Sequence, residues 1–180
     1  MNILTLNNLA IYKAVLRTVL FLLVVLSGAM PASAFTSKGK DAGRIYEQLI
    51  NGDLAQLQDK GKKMIGVNPD SSVMYFSAVG ARYEDNLSDD EKDVCISALN
   101  NLGYVYFFDY NNPLKSYEYL LKALKISEEN GIDSTLPHIY LNIANVFTSM
   151  GESMEAVKYF KKSIRSSAAL HANDILVISF

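Results

Sequence analysis

The chain has 180 residues, with 17 Lys+Arg, 19 Asp+Glu, two His, one Cys, no Trp and a formal charge of −2. One Cys excludes an intrachain disulfide and a cysteine-based zinc knuckle. A near-neutral balance gives no basic face for nucleic acid, while 49% apolar residues are enough for a packed core.

Residues 1–34 read as a secretory signal peptide. Lys13 and Arg17 precede an uncharged run from Thr18 to Met30, and Ala32-Ser33-Ala34 has the small-x-small pattern that signal peptidase accepts. The run is shorter than the roughly 20 residues that span a bilayer. Cleavage near Ala34 would place the mature chain outside the cytoplasm, in the periplasm, with 15 basic and 19 acidic residues. The alternative is an uncleaved segment anchoring the chain in the inner membrane, the one case that implies membrane contact.

Residues 35–53 form a Ser/Lys/Gly-rich leader and a first helix at 42–50. Helical periodicity then predicts helices at 54–66, 71–84, 89–109, 114–129, 136–150 and 153–168, with another starting near Asn173. Asn68-Pro69-Asp70 and Asn111-Asn112-Pro113 mark turns, because proline disfavours helix in the residue before it. Ser88-x-x-Glu91 makes a capping box, Asn130-Gly131 a helix stop, and Ser153 a cap. Short connections make neighbouring helices antiparallel hairpins, so the class is all-α.

Two segments superimpose. Leu99, Leu102, Gly103 and Tyr106 on one helix, followed by Ser116, Leu120 and Ala123 on the next, match Tyr140, Ile143, Ala144 and Phe147 followed by Ala156, Phe160 and Ser163. Small residues let paired helices approach, and large ones fill the space between hairpins. This pattern resembles the tetratricopeptide repeat, with small and bulky residues at its spacing. The resemblance covers a repeat at 89–130, a second at 136–169 and a degenerate unit at 54–84, where Ser72, Phe76 and Val79 match a second helix and the helix around Leu57, Gly61 and Met64 matches poorly. Gly103 and Ala144 are 41 residues apart, against a usual period of about 34. The string Asn68 to Phe76, the long period and the leading signal are similar to the exported N-terminal repeat arrays of bacterial membrane-bound regulators.

The resemblance implies a right-handed solenoid that binds a protein or peptide along its concave face. The face would be lined by Ser97, Asn100, Tyr104, Phe107 and Phe108 from one repeat and by His138, Leu141, Asn145, Thr148 and Ser149 from the next. Asparagine amides can pair with an extended peptide backbone, and the aromatic residues offer an apolar anchor. Phe107 and Phe108 cannot both point into the groove.

Residues 173–180 read as the unfinished first helix of a further repeat. Three readings follow: a truncated array, an end covered by a partner or second copy, and a short form with a frayed tail. The functional expectation is an exported scaffold within a signalling assembly. The alternatives are the truncated sensory region of a transcription regulator or histidine kinase, and a module that self-associates through 173–180.

Other candidates point to ordinary roles. His138 and His171 lack neighbours at ligand spacing, Cys95 sits among apolar residues, and Asp85 to Asp93 lacks the mid-loop glycine of a calcium hand. No phosphate loop or nucleophile motif is present, so neither enzyme activity nor a cofactor is expected. Asn86-Leu87-Ser88 fits an N-glycosylation sequon, and Asp133-Ser134-Thr135 resembles a bacterial O-glycosylation acceptor. As a cap and a turn, both also have structural uses.

Overall fold

A computed structural model describes residue 45 and residues 47–178. The signal-peptide expectation and most of the leader lie outside the described residues. The chain divides into two units, Met1–Gly52 and Asp53–Phe180. In the first, the described residues form a short helix through 47–51, where the Asn51 amide donates to Glu47 at 2.8 Å.

The second unit is built from six helices: α1 (Leu54–Met64), α2 (Pro69–Gly80), α3 (Asp89–Phe108), α4 (Pro113–Asn130), α5 (Leu136–Ser149) and α6 (Ser153–Ile178). No strand occurs among the described residues. None of the described helices is long and apolar enough to cross a membrane.

The helix ends follow their local chemistry. At α3, the Ser88 hydroxyl accepts from the Glu91 amide and Glu91 reaches back to the Ser88 amide, completing the capping box. These bonds to Ser88 hold the Glu91 carboxyl below its usual range. α2 begins at Pro69, two residues earlier than the sequence reading, because proline at the first helical position forfeits no intrahelical bond and Asn68 caps it through the Ser71 amide at 3.0 Å. α4 repeats this device with Asn112 and Pro113. α4 ends at Gly131, whose φ of +65° lies in the left-handed region where glycine incurs no Cβ clash.

One element differs in kind. α6 continues to Ile178, and no new helix starts near Asn173. Residues 168–172 contain neither Gly nor Pro, and Asn and Asp cost a helix interior only about 0.7 kcal/mol each. Nothing local therefore ends the helix there.

Each helix packs against the next in sequence, and the first helices of successive hairpins, α1, α3 and α5, touch in series. The core is the space inside and between the hairpins. Phe76, Val79, Ile96, Leu102, Leu120, Ile139 and Ile143 are fully buried there.

Two glycines set the closest approaches. A Cβ on Gly103 would lie 2.6 Å from Leu120 Cγ, and one on Gly61 would lie 2.6 Å from the Phe76 ring. Ser72 and Ser116, both fully buried, stand at matching places on the second helices, and the Ser72 hydroxyl donates to the Gly61 carbonyl at 3.1 Å. α1–α2 thus uses the same packing device as α3–α4, although its first helix matches the repeat pattern poorly in sequence. Ala144 and Ala156, both buried, take the small positions in α5–α6.

Aromatic pairs fill the seams. Tyr106 stacks on Tyr119 within the second hairpin (5.4 Å between centroids). Phe147 contacts Tyr117 of the preceding hairpin edge-on at 5.3 Å and stacks on Tyr159 at 5.6 Å. Tyr140 lies 6.1 Å from Tyr159, with the Lys162 ammonium over both rings. Burial raises the pKa of all four tyrosines: 106, 119, 140 and 159. Polar ties also cross between hairpins. Tyr110 donates to Asp70 and Asn130 to Tyr83 at 3.0 Å, while Lys92 donates to Asn130 at 2.9 Å within the second hairpin.

Candidate functional site

The first helices carry most of the polar and exposed aromatic side chains named by the sequence. Helix α3 presents Ser97, Asn100, Tyr104, Phe107 and Phe108, but not equally. Tyr104 (36% exposed) and Phe108 (52%) are open to solvent, and their rings lie 4.5 Å apart. Phe107 is half-buried and meets Phe108 edge-on at 4.8 Å. The expectation that the two neighbours point differently matches this division.

Asn100 needs a correction. Read from its own helix it faces the groove, yet it is only 7% exposed, and its side-chain oxygen accepts from the Asn142 amide at 2.9 Å. It therefore joins α3 to α5 and is not free to grip a peptide. Ser97 is likewise engaged, accepting from the Gln58 amide of α1 at 2.5 Å. Gln58 to Ser97 and Asn142 to Asn100 together bond the three first helices edge to edge. Asn100→Ala, expected from sequence to affect binding alone, should instead destabilise the chain by about 1 kcal/mol, because Asn142 loses its acceptor in a part-buried site; a denaturant titration checks this.

The sequence reading missed Gln58 and Asn142. The signal for Gln58 was available, since it precedes Gly61 by three residues as Asn100 precedes Gly103. Asn101 sits one residue after Asn100, and its amide nitrogen is buried without a partner.

On α5, Leu141 is 40% exposed, Asn145 is half-buried, and His138, Thr148 and Ser149 are exposed. The Thr148 hydroxyl donates to its own helix at the Ala144 carbonyl (2.8 Å), and Ser149 does so at Val146 (2.7 Å). Both are thereby partly withdrawn from outside partners. Tyr104, Phe108, His138, Leu141 and Asn145 remain as the side chains with surface to offer. Between α1 and α3 the face opens into a groove of about 300 Å³ lined by Ala55, Gln58, Asp59, Lys62, Asp93, Val94 and Ser97. Its charges are of both signs.

Several other candidates have a definite place. Cys95 is fully buried and donates to the Val79 carbonyl at 3.5 Å, and burial pushes its thiol up to about 11. Asp93 accepts from the hydroxyls of Ser134 and Thr135, so Ser134 helps pin the loop before α5 to the start of α3. Asn86 is exposed in the loop before the capping box. His171, like His138, is exposed. No group of three or more His, Cys, Asp or Glu that could hold a metal occurs among the described residues.

Against known proteins, residues 137–169 match the family model described as Tetratricopeptide repeat. No curated protein and no solved structure matches the chain. The match spans α5 and the adjoining part of α6, the hairpin built on Ala144 and Ala156. Repeats of this kind generally mediate protein–protein interaction and are typically non-enzymatic scaffolds. With paired helices throughout residues 54–178 and this match in the third hairpin, the chain carries a tetratricopeptide repeat at residues 137–169.

Proposed function

We propose that this chain is an exported scaffold that binds a protein or peptide along the face shared by α1, α3 and α5, within a signalling assembly. The array is a right-handed solenoid, and that face is its concave side. The observation that carries the reading is the exposure of Tyr104, Phe108 and Leu141 on adjacent first helices, where a folded chain would otherwise bury them. Exposed rings with the half-buried Asn145 amide on the neighbouring helix suit an extended segment with a large apolar side chain, since aromatic side chains are enriched among the residues that carry binding energy. The signal-like residues 1–34 support export, cleavage near Ala34 placing the scaffold in the periplasm.

A random peptide library selected on the full chain tests this. Selected peptides should carry a large apolar residue and lose affinity by tenfold or more on Phe108→Ala with Tyr104→Ala, the scale of hot-spot truncations of about 2 kcal/mol or more. Both residues are exposed enough for the melting temperature to hold. Peptides that ignore both substitutions would remove the reading.

A further inference from the structure

Among the described residues, the three most exposed large apolar side chains stand one in each hairpin, at or beside its turn. They are Val67 (77% exposed) between α1 and α2, Leu114 (71%) at the start of α4 and Met154 (88%) at the start of α6. Tyr110 and Met150 add exposed apolar surface at the second and third turns. Contacts between hairpins bring the turns to one edge of the array. Tyr110 donates to Asp70 at the start of α2, and Tyr117, near the start of α4, meets Phe147, near the end of α5.

The connections from one hairpin to the next lie at the opposite edge. Asn130 at the end of α4 donates to Tyr83 in the loop before α3, and Asp93 near the start of α3 accepts from Ser134 and Thr135 before α5. This edge has the reverse character. No large apolar side chain is exposed among residues 81–93 or 125–139, and residues 84–93 carry six acidic side chains against one lysine. Beside the turns, charges are of both signs and several are paired. Lys63 bonds Asp59, Lys158 bonds Glu155, and Asp70 accepts from Tyr110. One edge is thus apolar without a field of one sign, and the other is acidic.

A partner helix or peptide would need a continuous apolar seam. Here each apolar side chain is set off by polar turn residues, Asn68, Asn112 and Glu152 among them, and a protein covering the row would have to bury these too. A bilayer surface suits the division. Apolar side chains reach the acyl chains, polar neighbours stay among the headgroups, and tyrosine is favoured at that level. The turns are also prepared for a drier setting. Asn68 and Asn112 cap α2 and α4, and Pro69 and Pro113 bring no N–H to leave unpaired. The acidic edge would be repelled by anionic headgroups, which sets the orientation. We infer that the turn edge of the array lies on a lipid bilayer, with Val67, Leu114 and Met154 among the acyl chains and the acidic edge turned away. This contact requires neither residues 1–34 nor the first-helix face.

The chain has no tryptophan, so a single introduced indole reports on its own surroundings. Leu114→Trp, Met154→Trp and Asn86→Trp of the full chain are each mixed with phosphatidylcholine vesicles whose acyl chains carry bromine. The first two should emit at shorter wavelength and be quenched, at low and high salt alike, because salt screens charge pairs and not apolar contact. Asn86→Trp, in the exposed loop at the acidic edge, should do neither. Adding Val67→Asp and Met154→Asp to Leu114→Trp should raise the lipid concentration for a half-maximal shift by about tenfold or more, the scale of withdrawing two apolar side chains from the acyl region. Both sites are largely exposed, so the melting temperature should hold. Turn indoles that stay in water, even where the chain reaches the vesicles through other residues, would overturn the assignment. So would equal quenching at Asn86→Trp, a shift indifferent to the two aspartates, or self-association of the chain that the aspartates abolish.

Discussion

Gly103→Ala lowers the stability of the chain, and Gly103→Leu unfolds it. The argument rests on how little room α3 and α4 leave between them. An added Cβ would lie 2.6 Å and 2.7 Å from Leu120 Cγ and Cδ2, and 3.3 Å from the Ser116 carbonyl oxygen. Leu120 is fully buried, so its branch point cannot swing away, and the Ser116 oxygen is backbone. Replacing a mid-helix glycine with alanine favours the helix by about 1 kcal/mol, whereas overpacking a filled core costs about 1–3 kcal/mol. Strain wins for alanine by a modest margin and for leucine outright. The check is a double-mutant cycle with Leu120→Ala. That change alone costs about 2–5 kcal/mol as a cavity, but combined with Gly103→Ala the loss should fall short of the sum. Strict additivity would mean that the two side chains do not meet.

Phe76→Ala has the larger effect, about 3–5 kcal/mol for a fully buried phenylalanine. Its ring fills the space above Gly61, closing α1 on α2, and is 0% exposed. The substitution should also be felt in the next hairpin, because Val79 sits beside Cys95. Opening that seam exposes the Cys95 thiol. Labelling of the native protein by a thiol reagent should then accelerate by about two to three orders of magnitude, one decade for each 1.4 kcal/mol. A lost transition that left Cys95 as protected as before would mean that α1–α2 is not part of the same cooperative array.

Much of the fold was legible because the chain punctuates its own helices. Ser88 with Glu91, Pro113 after Asn112 and Gly131 act through local bonds, so one sequence suffices to read them. The pairing of Gly103 with Ser116, and of Ala144 with Ala156, was legible because close helix approach demands small residues at fixed spacing. The hairpin α1–α2 was harder to read. Lys60 and Lys63 stand where α3 has Leu102 and Val105, so the apolar period fades although Gly61 and Phe76 keep the packing. The break expected near Asn173 failed because a cap signal competes with continuation, and nothing from 168 to 172 interrupts the helix.

The site was legible only in part. Helix period shows which way a side chain leaves its own axis, and it sets Tyr104, Phe108 and Leu141 beside the core stripe, where the structure has them exposed. It cannot show that Asn142, 42 residues on, reaches Asn100 and takes it out of the solvent-facing set. Long-range polar pairs of this kind have no local signature. Met154, Val157 and Ile164 of α6 have the spacing of core residues, and only the structure shows them exposed.

The central claim is that the first-helix face does the binding. Amide chemical-shift mapping of the full chain, titrated with a peptide selected from the random library, tests it most directly. The account predicts perturbations concentrated on α3 and α5 around Tyr104, Phe108, Leu141 and Asn145, with α2 and α4 unmoved. Perturbations centred on α2 or α4, with those four residues unchanged, would contradict it.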